Sequence, residues 1–261
     1  MTLPASGTMR MGADIDVQLG HSASTQISLG GSECRTLSGV ASGVIRLGAD
    51  FYGKPPTVAF DADATASTRG TATTLTNGNL TIGSGVHRAL IVQMTTSLAT
   101  TQTVVWDAAG ANQALTLIGS TAYASNYTSW LYGLINPASG NKIVTVTWGG
   151  GGANFGVLNA ASFTGVNQTG GATSFPNYTG TSGLGISPSV TVTSATGDMV
   201  VDTLMCQTAP IAGNKTKLFW NTGGLVNGGS QYAAGAATVT LSWTQGSGYI
   251  YALGACSIKA G

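Results

Sequence analysis

Charged side chains are scarce in this chain of 261 residues. Lys, Arg, Asp and Glu together make up 7% of the residues, and the net charge is +1. An average soluble protein carries about 25% charged residues. No run of basic residues is present, so the sequence provides no positive surface for nucleic acid or for an anionic membrane. We therefore expect no nucleic-acid partner.

Long apolar segments are absent as well. The longest apolar runs, such as ALIV at residues 89–92, are much shorter than the roughly 20 residues that span a bilayer. The opening residues, MTLPASGTMRMG, do not place a basic stretch before an apolar one, as a signal peptide would. We therefore expect no membrane insertion and no signal peptide, with synthesis in a cytoplasm.

The residues that usually perform catalysis or bind metals are few. The three cysteines, an odd number, include no C-x-x-C pair, so no disulfide framework or zinc site is indicated. Only His21 and His87 could act as histidine bases, and no G-x-S-x-G motif is present. We therefore predict that the protein is not an enzyme and has no cofactor and no metal site.

One pair of carboxylates has two interpretations. Asp61 and Asp63 are two residues apart in a predicted strand, which would place them on one face about 7 Å apart. That spacing suits Ca²⁺, or the two are solvated aspartates on an edge strand near Pro55 and Pro56.

Residues 55–261 have the pattern of antiparallel β-structure. In IVTVTW (143–148) and ATVTLSW (237–243) apolar and polar residues alternate, as in strands with one face in water. HRALIVQM (87–94) and DMVVDTLMC (198–206) are more continuously apolar, as central strands are. We predict a mainly β fold, a jelly-roll-like antiparallel sandwich of two sheets.

The first 54 residues contain a repeat with an interval of 18 residues. Its copies are ASGTMRMGAD (5–14), ASTQISLGGS (23–32) and ASGVIRLGAD (41–50). Each copy predicts a short strand, a turn and a short helix, with Asp14, Ser32 and Asp50 as helix N-caps. One of these helices is expected at about residues 33–38.

Residues 1–54 have few large apolar side chains and cannot form much of a core alone. We predict that they are a docking and assembly module, completed by a partner protein or by other copies, in a homotrimer. Arg10 and Arg46 occupy equivalent positions of two repeats. They would point to solvent, where they either reach partner carboxylates or are simply solvated.

The richest cluster of aromatic and polar residues is TAYASNYTSWLY, residues 121–132. Tyr123, Tyr127 and Trp130 could present flat apolar faces to a sugar ring, with Asn126 as hydrogen-bond donor and acceptor. Packing of these aromatic residues in the core, or between subunits, is the other interpretation.

Two stretches resemble structural proteins of bacteriophage virions. ISLGGSECRTLSGVASGVIRLGADFYGK (27–54) resembles N-terminal modules of phage tail and virion proteins. LYGLINPASGNKIVTVTW (131–148), followed by NAASFTGVNQT (159–169), resembles β domains of phage and bacterial surface proteins. The resemblance implies a virion component that contacts other virion proteins: a tail fibre, a tail spike or a capsid-bound decoration or spike protein. Recognition of a cell-surface glycan as receptor remains open as a second function.

Overall fold

The structure is a computed structural model that describes residues 34, 35, 38, 57–68, 73–98, 102–124, 126–149, 155–208, 210–221 and 226–261. Cys34, Arg35 and Ser38 are helical, within the range where a short helix is expected. A second helical segment, α1, spans Gly171–Ser174. The described strands are β1 (Ala59–Thr68), β2 (Thr74–Thr76), β3 (Leu80–Ile82), β4 (Ala89–Leu98), β5 (Gln102–Trp106), β6 (Gln113–Ala114), β7 (Thr116–Tyr123), β8 (Asn126–Ile135), β9 (Gly140–Lys142), β10 (Val144–Trp148), β11 (Gly156–Thr164), β12 (Thr179–Leu184), β13 (Ser189–Thr193), β14 (Met199–Cys206), β15 (Pro210–Gly213), β16 (Thr216–Asn221), β17 (Asn227–Ala234), β18 (Thr238–Gln245) and β19 (Ile250–Ile258).

The described strands pair antiparallel in several sheets, which confirms the predicted mainly β sandwich class. The number of sheets differs from the prediction, because the strands form two sandwiches instead of one. The first combines the sheet β1-β11-β4-β8-β7 with the sheet β2-β10-β5-β6, and the small sheet β3-β9 flanks them. The second combines β12-β19-β14-β17-β16 with β13-β18-β15.

The two sandwiches share one topology. When β3, β6 and β9 are set aside, each has eight strands. In each, the first lies beside the eighth, the eighth beside the third and the third beside the sixth, which is the order of a jelly roll. The fifth strand extends this larger sheet and does not join the smaller one. The sequences VTVTW (144–148) and VTLSW (239–243) occupy equivalent strands, β10 and β18.

The larger sheets of the two sandwiches pack against each other. Between them lies an apolar cluster that includes Ile91 and Phe163 from the first sandwich and Val201 and Ile258 from the second. Strand β14 is therefore buried along its whole length. This double burial explains why β4, β14 and β19 are so continuously apolar. The sequence indicates that these strands are buried, but it does not indicate that a second sandwich covers one of their faces.

The strands of the two sandwiches run in the same direction. Ala89 of β4 and Met199 of β14 begin their strands and lie in one cluster, so we call that end the base. The other end, where β7, β14 and β18 finish, is called the tip. The described chain enters at the base, where the Val58 amide donates to the Gly197 carbonyl at 2.7 Å. It also ends there, since the Gly261 amide donates to the Gly165 carbonyl at 3.0 Å.

Candidate functional site

The predicted docking residues lie outside the described part of the chain. They are Arg10, Asp14, Ser32, Arg46 and Asp50, and their roles stay predictions. The predicted boundary between residues 54 and 55 falls just before the described segment 57–68, which enters β1 at Ala59. That segment begins at the base, so a module formed by residues 1–54 would connect to the base.

Two of the four predicted glycan-binding residues point to opposite sides of the larger sheet. Trp130 packs against the core of the first sandwich, and its Nε1 donates to the Thr96 hydroxyl at 3.0 Å. Tyr127 packs on the other side, against a cluster that contains Met205 and Ala252 of the second sandwich. Residues three apart in a strand face opposite ways. The core-packing interpretation therefore describes these two rings better than one shared sugar platform.

Tyr123 and Asn126 lie at the tip, where β7 turns into β8. Asn126 is exposed and Tyr123 is half-buried. Strand β7 runs along β12, since the Thr121 and Tyr178 hydroxyls are 2.8 Å apart. Thr121 also lies against Gly180 of β12, so Tyr123, two residues further along β7, falls beside the middle of β12. These two residues therefore remain candidates for contact with a ligand.

The tip also presents three large apolar side chains that were not predicted as site residues. Leu184 is 65% exposed, Ile186 is 55% exposed and Tyr249 is 51% exposed. Leu184 ends β12, Ile186 lies in the connection β12–β13 and Tyr249 in the connection β18–β19. A hydrogen bond of 3.3 Å from the Gly185 amide to the Tyr249 carbonyl joins the two connections. The available signal was the presence of large apolar residues inside glycine-rich turns, SGLGIS and GSGYIY.

The carboxylates of Asp61 and Asp63 do not share one strand face. The pairing of β1 with β11 shifts between Phe60 and Ala62, so that Asp61 is the extra residue of a bulge. Its carboxylate accepts from the Ser162 hydroxyl at 2.7 Å. Asp63 instead pairs with Ala161, which faces the second sandwich. The prediction of two carboxylates on one face is wrong because the bulge reverses the alternation.

A polar groove opens at the base of the first sandwich. It has a volume of about 410 Å³ and is lined in part by Asn79, Asp107, Asn141, Lys142 and Thr145. Lys142 Nζ lies 2.6 Å from Asp107 Oδ2, and the Ala111 amide donates to the same oxygen at 2.8 Å. This amide and then the ammonium lower the pKa of Asp107. The groove thus offers a fixed ion pair together with neutral donors and acceptors.

A carboxylate is fully buried in the core of the second sandwich. Asp202 Oδ2 accepts from Trp243 Nε1 at 2.7 Å and from Gln231 Nε2 at 3.0 Å. Its Oδ1 accepts from the Gln231 backbone amide at 2.8 Å. Burial raises the pKa of Asp202 to about 7, although the three donors favour the ionised form.

Burial shifts the pKa values of two cysteines and one histidine of the described region. Burial raises the pKa of the Cys206 and Cys256 thiols to about 12, which disfavours the reactive thiolate. Burial also lowers the pKa of His87. Within the described ranges, no group of three or more His, Cys, Asp or Glu side chains is placed to hold a metal ion. None of the helices described is both long enough and apolar enough to cross a membrane.

Comparison of the chain with protein-family models, curated proteins and solved structures finds no match in any of the three.

Proposed function

We propose that the chain is a non-enzymatic structural component of a bacteriophage virion, of the tail-fibre or spike type. Residues 1–54 would attach it to other virion proteins, and the two sandwiches would project from the particle. The separation of base and tip supports this function. The segment that leads into β1 enters the sandwiches at the base, where Val58 is bonded to Gly197, whereas the most exposed of the described apolar side chains lie at the tip. A docked module would therefore leave the tip facing outward.

Deletion of residues 1–54 is expected to prevent incorporation into virions. Tagged full chain and tagged residues 55–261 would be supplied separately to the infected host, and purified particles would be probed for each. We expect at least a tenfold lower content of the shortened chain. The β region contains the two apolar cores of the sandwiches and their shared interface, so we expect it to remain folded, with a cooperative thermal transition.

Point variants of the full chain distinguish loss of a docking contact from a nonspecific effect of removing a positive charge. Arg10→Ala combined with Arg46→Ala should reduce incorporation, whereas Lys259→Ala, an exposed cation at the base, should not. Normal incorporation of a folded 55–261 fragment would refute the docking role of the first segment.

Receptor recognition at the tip is the second candidate function. Tyr249 offers an exposed ring and Asn126 an exposed amide, the groups that stack on and hydrogen-bond a sugar. No described side chain in the connections β7–β8, β12–β13 and β18–β19 is charged, which fits a neutral glycan. This function is compatible with docking through the base, because the two roles use opposite ends.

Tip variants test this recognition. Tyr249→Ser and Asn126→Ala are each expected to lower binding of the full chain to host cells several-fold. Val86→Ser, which removes an apolar side chain that is 41% exposed and precedes β4 at the base, is the matched control. Equal binding to cells with and without their surface polysaccharide would exclude the glycan.

A further inference from the structure

The two lateral flanks of the stacked larger sheets differ in charge. On one flank the edge strands are β1 and β16, and they carry the exposed charged residues Asp61, Asp63 and Lys217. Charged side chains on an edge strand discourage pairing with another chain. This flank is therefore protected in the way that natural edge strands usually are.

The opposite flank has no such protection. Its edge strands are β7 and β12, and both lie in long tracts without Lys, Arg, Asp, Glu or His, residues 108–141 and 143–197. Exposed leucines stand on both strands: Leu117 on β7 is 46% exposed and Leu184 on β12 is 65% exposed. The two leucines lie near opposite ends of the flank, Leu117 towards the base and Leu184 at the tip, and most residues between them are small or polar. An edge strand without charge is a template for association.

The backbone of this flank has one unpaired side on each strand, although register shifts between Leu117 and Gly119 and between Ala122 and Tyr123 interrupt β7. Among the described strands, β7 pairs with β8 alone and β12 pairs with β19 alone, so one side of each strand lacks a strand partner. Beside β7 lies a small cavity of about 90 Å³, lined by Leu117, Ile118, Ala172 and Phe175 among others. A small apolar side chain from another molecule would fit there.

We propose that the β7/β12 flank is the contact surface between copies of this chain. A partner must bring no charge to this flank, because burial of an unpaired charge is costly. The flank of a second copy meets that requirement, since it is the same uncharged surface. The two edge strands also lie side by side, since Thr121 of β7 contacts Gly180 of β12. Both run from base to tip, as their pairings with β8 and β19 require.

This arrangement allows one symmetry operation to cover both edges. A two-fold axis parallel to the strands would place β7 of one copy beside β12 of the other, and β12 beside β7. A three-fold axis in the same direction would also bring the flanks together. Both operations keep all bases at one end, as docking to a common particle requires. The inference rests on the homo-oligomer expected for the proposed function, and it adds the surface that forms it.

The test is the molar mass of the full chain, measured by light scattering during size-exclusion chromatography at micromolar concentration. Wild type is expected at twice 26.1 kDa or more, and the double variant Leu117→Lys with Leu184→Lys at 26.1 kDa. Thr216→Lys places the same charge at an exposed position of the other flank and should keep the wild-type mass. Each variant should melt within a few degrees of wild type, because both leucines are exposed.

The outcomes distinguish two errors: that the chain forms no oligomer, and that it forms one through a different surface. If wild type is monomeric, both the oligomer and this surface are refuted, while docking to the virion remains testable by incorporation. If the double lysine variant keeps the wild-type mass, the oligomer stands and the surface assigned here is wrong. Should the lysine variant fail to fold, Leu117→Ser with Leu184→Ser replaces it, and its mass decides in the same way.

Discussion

Replacement of Asp202 by Ala is expected to lower the free energy of unfolding by about 3–5 kcal/mol, a typical effect when one partner of a buried polar network is removed. The carboxylate is fully buried and accepts three hydrogen bonds, from Trp243 Nε1 and from the side chain and backbone of Gln231. Without it, these donors would be left in an apolar core that includes Leu204 and Leu241. Denaturant unfolding followed by tryptophan fluorescence would measure the loss.

The same residue gives the stability a specific pH dependence. Burial raises the pKa of Asp202 from 3.8 to about 7, so between about pH 4 and pH 7 the folded protein holds a proton that the unfolded chain releases. The contribution of Asp202 therefore favours folding at low pH and is lost as the pH rises towards 7. Wild type should be more stable at pH 5 than at pH 8, and the difference should be smaller in Asp202→Ala.

Asp61→Ala is the matched control for this substitution. Asp61 is exposed and accepts a side-chain hydrogen bond from Ser162, so its loss should cost no more than about 1 kcal/mol. An Asp202→Ala protein as stable as the control would show that the buried network contributes little.

Replacement of Phe163 by Ala is expected to destabilise the fold by about 3–5 kcal/mol, as for other buried aromatic residues. Phe163 is fully buried in the cluster between the two sandwiches. Phe60 packs edge-on against it at 6.0 Å between ring centroids, and Phe60 in turn stacks on Tyr232 of the second sandwich at 5.3 Å. The cavity would therefore weaken the contact between the sandwiches as well as the first sandwich itself.

Calorimetry would show how the two sandwiches are coupled. We expect wild type to unfold in one transition, because the larger sheets are buried against each other, and Phe163→Ala to lower its midpoint or split it into two. Val86→Ala, at an exposed position, should change the free energy of unfolding by no more than about 0.5 kcal/mol. Two separate transitions in wild type would show that the interface does not couple the sandwiches.

The local strand patterns could be predicted from the sequence because burial repeats every two residues in a strand. The alternation of IVTVTW and ATVTLSW corresponds to strands β10 and β18, in which Val144, Val146, Val239 and Leu241 face the cores. The stronger apolar character of residues 87–94 and 198–206 also predicted deeply buried strands. These features depend on residues close in sequence, so a single chain is enough to show them.

The candidate site could be predicted only in part. The aromatic stretch 121–132 does reach the tip, where Tyr123 and Asn126 remain available. Its other two members are directed to opposite faces, and the exposed residues Leu184 and Tyr249 come from distant parts of the chain. Likewise, the bulge at Asp61 arises from the pairing of β1 with β11, about 100 residues away in sequence.

The sequence by itself determined the mainly β class, the scarcity of charge and the burial of the central strands, because each follows from composition or local periodicity. Only the tertiary structure decided that the strands divide into two sandwiches of one topology. Only the tertiary structure also decided which residues lie at the base and at the tip, and which residues Asp202 and Tyr127 contact. All of these depend on which strands pair and which sheets stack, and such contacts between distant residues leave no local pattern in the chain.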